Sequence, residues 1–201
     1  MNKPYLHHLW THRVRPVKVW YFLIPLVICG AVAVLALRNN YVTMTHLRST
    51  VYTTDQNNGD VVAALQNLRT YVGSHMNTGL STGDGVYPPI QLKYTYQRLQ
   101  QAEQDRVSSV NSQVYTNAQT YCQQQNSTSF SGGARVPCIE QYVKDHGTTA
   151  QNISGDLYKF DFVSPTWSPD LAGWMVVVSV LLAFLAAVRL GIGWLLRTLS
   201  R

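Results

Sequence analysis

The sequence predicts an all-α protein in which two transmembrane helices flank an extracytoplasmic antiparallel bundle of three to four helices, with a short extended segment before the second membrane helix. Three observations predict it. Two uncharged apolar runs, Val19 to Leu37 and Leu171 to Val188, each approach the roughly 20 residues a helix needs to cross a hydrocarbon core about 30 Å thick. Residues 1–18 and 189–201 hold seven Lys/Arg and no Asp/Glu, while all ten acidic residues lie between the runs, which places both ends in the cytoplasm by the positive-inside rule. Between the runs, most apolar residues recur at steps of three and four, the spacing of a helix face.

Only 13% of the residues are charged, about half of the roughly 25% of a soluble chain. The formal net charge of +6 belongs to the flanks, because residues 39–170 carry eight basic and ten acidic groups, a net of −2. That balance excludes nucleic acid as a partner of the outer segment. The basic ends suit membrane lipid, at about 1 kcal/mol per Lys/Arg near an anionic surface.

Residues 1–18 form a cytoplasmic basic segment. His8 and His12 have the spacing of a metal pair on a helix, but Trp10 between them favours an interfacial anchor. The first membrane helix covers 19–37, with Trp20 as an anchor at its inner edge. Its 19 apolar residues exceed the 7–15 of a signal-peptide core and no small-residue cleavage site follows, so it is expected to stay uncleaved. "LVICG" has the look of a lipoprotein acylation box, but Ile28 is too large for the position before the cysteine, so Cys29 reads as a membrane-helix residue.

The extracytoplasmic domain spans 38–170. Tyr41, Met44, Leu47 and Val51 form one stripe, and no Pro or Gly interrupts the chain from Gly30 to Gly59, so the membrane helix is expected to continue outward. "DQNNGD" ends it; Asp60 caps a helix presenting Val61, Leu65, Leu68, Val72 and Met76. A Gly/Ser/Thr/Pro-rich loop, "NTGLSTGDGVYPPI", leads to a helix of about 30 residues carrying Leu92, Tyr96, Leu99, Val107, Val110, Val114 and Tyr121, its middle interrupted by Glu103 and Arg106. Ile139, Tyr142, Val143 and His146 mark a shorter helix after Pro137 that stops near Gly147. Tyr158, Phe160 and Phe162 alternate with polar residues, as a strand does. Trp167 and Trp174 belong at the outer interface, and Ser168 with Pro169 reads as cap and first residue of the second membrane helix, 171–190. Residues 191–201, with Trp194 as an anchor, form a short interfacial and cytoplasmic tail.

Cys122 and Cys138 lie in the outer segment, separated by a polar stretch whose Gly132 and Gly133 favour a turn, and the oxidising compartment implied by the topology predicts a disulfide over two free thiols. The sequons at Asn126 and Asn152 matter only in a host that glycosylates them. Ser179, Ala183, Ala187 and Gly191 repeat every four residues, and Pro25, Cys29 and Ala33 give a weaker row in the first span; such faces allow close helix packing, within the chain or with a partner. No acidic or basic side chain lies inside either apolar run, which argues against an ion pathway, while Arg189 snorkels at the inner edge.

No G-x-S-x-G, P-loop, H-E-x-x-H or C-x-x-C occurs, so no enzyme and no cofactor are expected. His46, His75 and His146 sit one per predicted helix beside an apolar stripe; a shared metal is the sharper reading and core or rim histidines the plainer one. "DQNNGDVVAALQ" lacks the glycine and the glutamate of a calcium loop, having Asp60 and Gln66 there. Tyr87, Pro88 and Pro89, with Tyr94 nearby, make the best recognition loop, because the prolines stiffen a backbone that offers a flat amphipathic ring; the alternative is a connector that seats the long helix.

A helix continuous with the first span, an outer bundle and a return into a second span resemble the four-helix-bundle sensor domains of bacterial chemoreceptors and sensor kinases. The likeness covers the layout of the whole chain and matches no motif residue by residue. "YVGSHMNTGL" and "GVYPPIQLKYTYQRLQ" are also similar to stretches of small bacterial two-pass proteins, a likeness that implies no activity. The dozen residues after Val188 leave no room for a signalling domain, so a receptor of this kind is expected to act through a neighbour. The expectation is a non-enzymatic protein of a bacterial plasma (inner) membrane whose outer domain binds a protein or ligand. It would serve as an accessory subunit beside other membrane subunits or as a homo-oligomer. The alternatives are a stand-alone ligand sensor and, less in keeping with the motifs, an outer-face enzyme using His46 or His75.

Overall fold

The computed structural model describes residues 18–80, 86–125 and 135–200. His8, Trp10, His12, Asn126, Gly132, Gly133 and residues 81–85 of the Gly-rich loop lie outside the described residues. The protein is mostly helical, with helices α1 (Trp20–Gln56), α2 (Val61–Ser74), α3 (Lys93–Gln125), α4 (Arg135–His146) and α5 (Leu171–Ser200), and two short strands, β1 (Ile90–Gln91) and β2 (Lys159–Phe160). The chain divides into two compact units. The first takes α1 through Val51, residues 60–87 and residues from Asp161 onward; the second takes Tyr52–Gly59 and Pro88–Phe160.

As the unbroken periodicity predicts, α1 runs on past the apolar stretch and ends only at Gln56. Asn58 adopts φ 53°, and the Asn58 and Gly59 amides turn back to the carbonyls of Asp55 and Thr54, which closes the helix with the Schellman pattern. Within the first unit, the covered face of α1 holds Ala33, Asn40 and Met44, down to Val51. Tyr41 departs from the predicted stripe: it is exposed, and the buried position is taken by Asn40, whose amide has protein partners.

In α2, the Asp60 side chain accepts the Ala63 amide at 3.0 Å, the predicted cap, and Leu68 and Val72 are fully buried. The helix stops at Ser74, before Met76, because His75 is extended and Asn77 sits at φ 61°. The Asn77 amide donates to the Leu37 carbonyl at 3.0 Å, and Thr78 and Leu80 are buried beyond it.

The cap of α5 differs from expectation. Asp170, not Ser168, fills the role: its carboxylate accepts the Gly173 amide at 2.8 Å and its carbonyl accepts the Trp174 amide. Pro169 therefore precedes the cap, and the buried Ser168 hydroxyl donates to Asp170 at 2.9 Å. On α5, Ala172, Ala186 and Gly193 are buried and Ser179 half-buried at a spacing of seven, with Gly173 also buried beside the first of them. Ala183, Ala187 and Gly191 of the four-residue ladder are exposed. On α1, Ala33 is buried and Cys29 half-buried.

The second unit is a helical hairpin held by a strap. α4 packs antiparallel on the C-terminal half of α3, joined by the Cys122–Cys138 disulfide and by the tilted ring pair Tyr121–Tyr142. α4 begins two residues ahead of Pro137, which costs no hydrogen bond because amides of a first turn have no partner inside the helix. After α4 the chain returns along α3 in extended form, fastened by side chains of that helix. Asn111 exchanges two hydrogen bonds with Thr148, Glu103 accepts the Gln151 amide at 2.8 Å, Tyr96 donates to the Ile153 carbonyl, and the Leu92 amide donates to Tyr158. The predicted strand is shorter than its alternation suggests. Gly155–Tyr158 forms a 3₁₀ turn, and only Lys159–Phe160 pairs, antiparallel, with Ile90–Gln91.

Glu103 is the clasp of this strap, and its chemistry sets an acid limit. The two-pronged hydrogen bond from Arg106, 2.8 Å on each arm, and the Gln151 amide lower its carboxyl from an ordinary 4.5 to about 2. A depressed folded value means the contribution is complete above the unfolded value and lost as pH falls through the folded one. The strap is thus expected to hold at pH 4.5 and loosen near pH 2, read as a lower protection of the Gln151 amide relative to its intrinsic exchange rate at each pH. Glu103→Gln should show the lower protection at neutral pH; protection insensitive to both changes refutes the clasp.

Candidate functional site

The first unit contains an open groove of about 450 Å³ where the apolar stretch of α1 ends and that of α5 begins. Val32, Leu35 and Ala36 of α1 and Leu171 and Ala172 of α5 supply apolar walls; Asn39, Asn40, Tyr71, His75 and Asp170 supply the polar part. The helical repeat explains the composition of the α1 side, since 32, 35, 36, 39 and 40 share one face and the sequence changes from apolar to amide along it.

Asp170 organises the polar part. One carboxylate oxygen accepts from Ser168 and the Gly173 amide, and the other accepts from Asn40 at 2.7 Å. Burial pushes this carboxyl up, but the Gly173 amide, Asn40, Ser168 and nearby His75 together outweigh it and leave it below its ordinary value. Asn40 also donates to the Met76 carbonyl at 3.3 Å, and the Met76 amide donates to Ser168 at 2.9 Å, so α1, the end of α2 and the start of α5 meet in one network. Gly173 is required there: a Cβ at that position would overlap the Ser168 carbonyl oxygen.

His75 stacks on Tyr71 with centroids 4.1 Å apart, its Nδ1 against the Tyr71 carbonyl at 3.1 Å. His146 repeats the arrangement on Tyr142, at 4.2 Å and 3.0 Å, in the second unit. His46 is exposed, and among the described residues no group of three or more His, Cys, Asp or Glu is placed to hold a metal ion.

Of the predicted recognition residues, Tyr87 lies in the first unit and is strongly exposed, whereas Pro88, Pro89 and Tyr94 lie in the second. The Pro89 carbonyl accepts from Tyr52 at 2.8 Å and the Pro88 carbonyl from Gln91 at 3.3 Å, so both prolines are tied to their own unit. Trp167 and Trp174 meet edge to face at 6.0 Å, and Trp20 and Trp194 are exposed on the apolar helices.

The groove itself escapes sequence reasoning. Asn40 and Asp170 are isolated polar residues 130 positions apart, and nothing in either neighbourhood announces the other. Asp170 meets the rule for a helix cap as well as Ser168 does, and the sequence alone does not choose between them. Comparison with protein-family models, curated proteins and solved structures finds no match to the chain.

Proposed function

We propose that the chain is a non-enzymatic two-pass protein of a bacterial-type inner membrane, with both ends in the cytoplasm and residues 38–170 outside as a helical domain that binds a protein partner or ligand. One observation carries this reading. The most apolar windows of α1 and α5 are only 6% and 17% buried, which suits helices solvated by lipid and not the core helices of a water-soluble fold. The confinement of all ten acidic residues between those helices supports the orientation, and the Cys122–Cys138 bridge supports an oxidising compartment for the domain.

Ala183, Ala187 and Gly191 leave a face of small residues open on α5, which suits a neighbouring subunit or a second copy of the chain. The accessory-subunit reading follows from that face. A second reading, a ligand sensor laid out like chemoreceptor domains, is favoured by the continuity of α1, since the helix reaching into the outer domain is the membrane helix itself.

The test is labelling of sealed cells with an impermeant amine reagent, followed by cross-linking in the native membrane. Modification of Lys144 without Lys3, and cross-links to other subunits or to a second copy that weaken in an Ala183→Ile/Ala187→Ile variant, are the expected results. Labelling of Lys3 without Lys144 overturns the topology. Cross-links indifferent to the double substitution remove the packing face.

A further inference from the structure

We propose that the groove at the heads of α1 and α5 holds a bilayer lipid whose headgroup carries a primary ammonium. The inference rests on the membrane reading above and adds a ligand to it. The groove is amphipathic along its length, with apolar walls from Val32, Leu35 and Leu171 and a polar end around Asp170, and its volume of about 450 Å³ lies in the range of small-molecule sites. Because it begins where the apolar stretch of each helix meets polar sequence, a molecule filling both parts must itself join a hydrocarbon chain to a polar head.

The chemistry of the polar end selects the head. No Lys or Arg lines the groove; the Asn40 amide beside Asp170 is engaged, while Asn39 and Tyr71 bring a side-chain amide and a hydroxyl to the groove wall. Asn40 uses both amide hydrogens, on Asp170 and on the Met76 carbonyl. What remain beside the carboxylate are acceptors: Oδ1 of Asn40, and Oδ2 of Asp170, which receives one hydrogen bond where a carboxylate oxygen takes two. These acceptors match a group that carries positive charge and donates several hydrogen bonds, and Asn39 and Tyr71 supply donors for the phosphate that adjoins such a group in a phospholipid. A primary ammonium has three donors; a quaternary ammonium has none. The site should therefore separate ethanolamine from choline headgroups, which share charge and phosphate and differ in N–H donors.

The experiment places the full chain in nanodiscs containing equal amounts of phosphatidylethanolamine, phosphatidylcholine and phosphatidylglycerol, and identifies the lipid retained on release into the gas phase. Phosphatidylethanolamine should be retained over each of the others by about tenfold. Asp170→Asn, which keeps a residue able to cap α5, should bring the preference to near parity, and Ala36→Phe should displace lipid by filling the groove without touching the acceptors. Equal retention of the ethanolamine and choline lipids by the native chain overturns the proposal, as does a preference that survives both variants. Displacement by decylamine without any lipid preference also overturns it, in favour of a free amphiphile. A chain that leaves the bilayer in carbonate overturns the membrane reading itself, whereas an inserted chain without headgroup selectivity overturns only the site.

Discussion

Asp55→Ala is expected to lower the stability of the second unit by about 3 kcal/mol, the largest effect of any single substitution proposed for that unit. Asp55 is 1% exposed, and its carboxylate accepts the backbone amides of Tyr94 and Thr95 at 2.9 and 2.8 Å and the Thr95 hydroxyl at 2.6 Å. Those amides belong to the first turn of α3, whose N–H groups have no partner in their own helix. The last turn of α1 thus caps a helix that begins about forty residues later. Arg98 closes the arrangement by donating to the Asp55 carbonyl at 2.9 Å and approaching its carboxylate at 3.5 Å. Alanine leaves two amides and a hydroxyl without an acceptor in a buried place. Asp55→Asn should cost less, about 2 kcal/mol, because one oxygen survives while the new NH₂ meets a donor. Arg98→Met should cost least, about 1 kcal/mol or below, since the side chain is 36% exposed and water screens the pair. Thermal unfolding of the full chain, with hydrogen exchange at Tyr94 and Thr95, measures the order. An Arg98→Met loss equal to that of Asp55→Ala would show that the ion pair, not the cap, holds the joint.

The same residue shows where sequence reading stops. Helix existence was legible throughout: the stripe of α2, its Asp60 cap, the span of α3 and the end of α4 at Gly147 follow from spacing and from residues that act within a few positions of themselves. Residues acting on a distant partner leave no such mark. Asn40 and Asp55 fall on the covered face of α1 in register with Met44 and Val51, yet a polar residue at an apolar position reads as a gap in the stripe. Glu103 looked like an interruption of α3 and is the point where the strap fastens. Tyr96 and Asn111 serve the same strap from the same face, so that face recognises a backbone and not an apolar surface. The small residues of α5 teach a related lesson. Two spacings, four and seven, both include Ser179, and composition alone cannot say which one is covered. The groove is further out of reach, because it depends on Asn40, His75 and Asp170 coming together from three parts of the chain.

Reduction of the Cys122–Cys138 bridge is expected to destabilise the second unit by a similar amount, about 3 kcal/mol, from loop closure alone. The bridge joins positions 16 apart, and opening it returns to the unfolded chain the freedom that the closed loop had removed. The packing of the folded state should change little, because Cys122 is fully buried and a thiol there remains a small apolar group. For a unit of this size the loss corresponds to a fall in Tm of roughly 12–24 °C. A Cys122→Ala/Cys138→Ala variant should match the reduced native chain, since both lack the closure and neither introduces a polar atom. Cys29 sits in the apolar stretch of α1, outside the second unit, so Cys29→Ala should leave the transition where it is. The comparison separates two sources of stability. If the double variant falls far below the reduced protein, sulfur packing between α3 and α4 matters more than loop entropy. If reduction leaves the transition unmoved, α3 and α4 are held by the strap and their own contacts, and the bridge is not what sustains the hairpin.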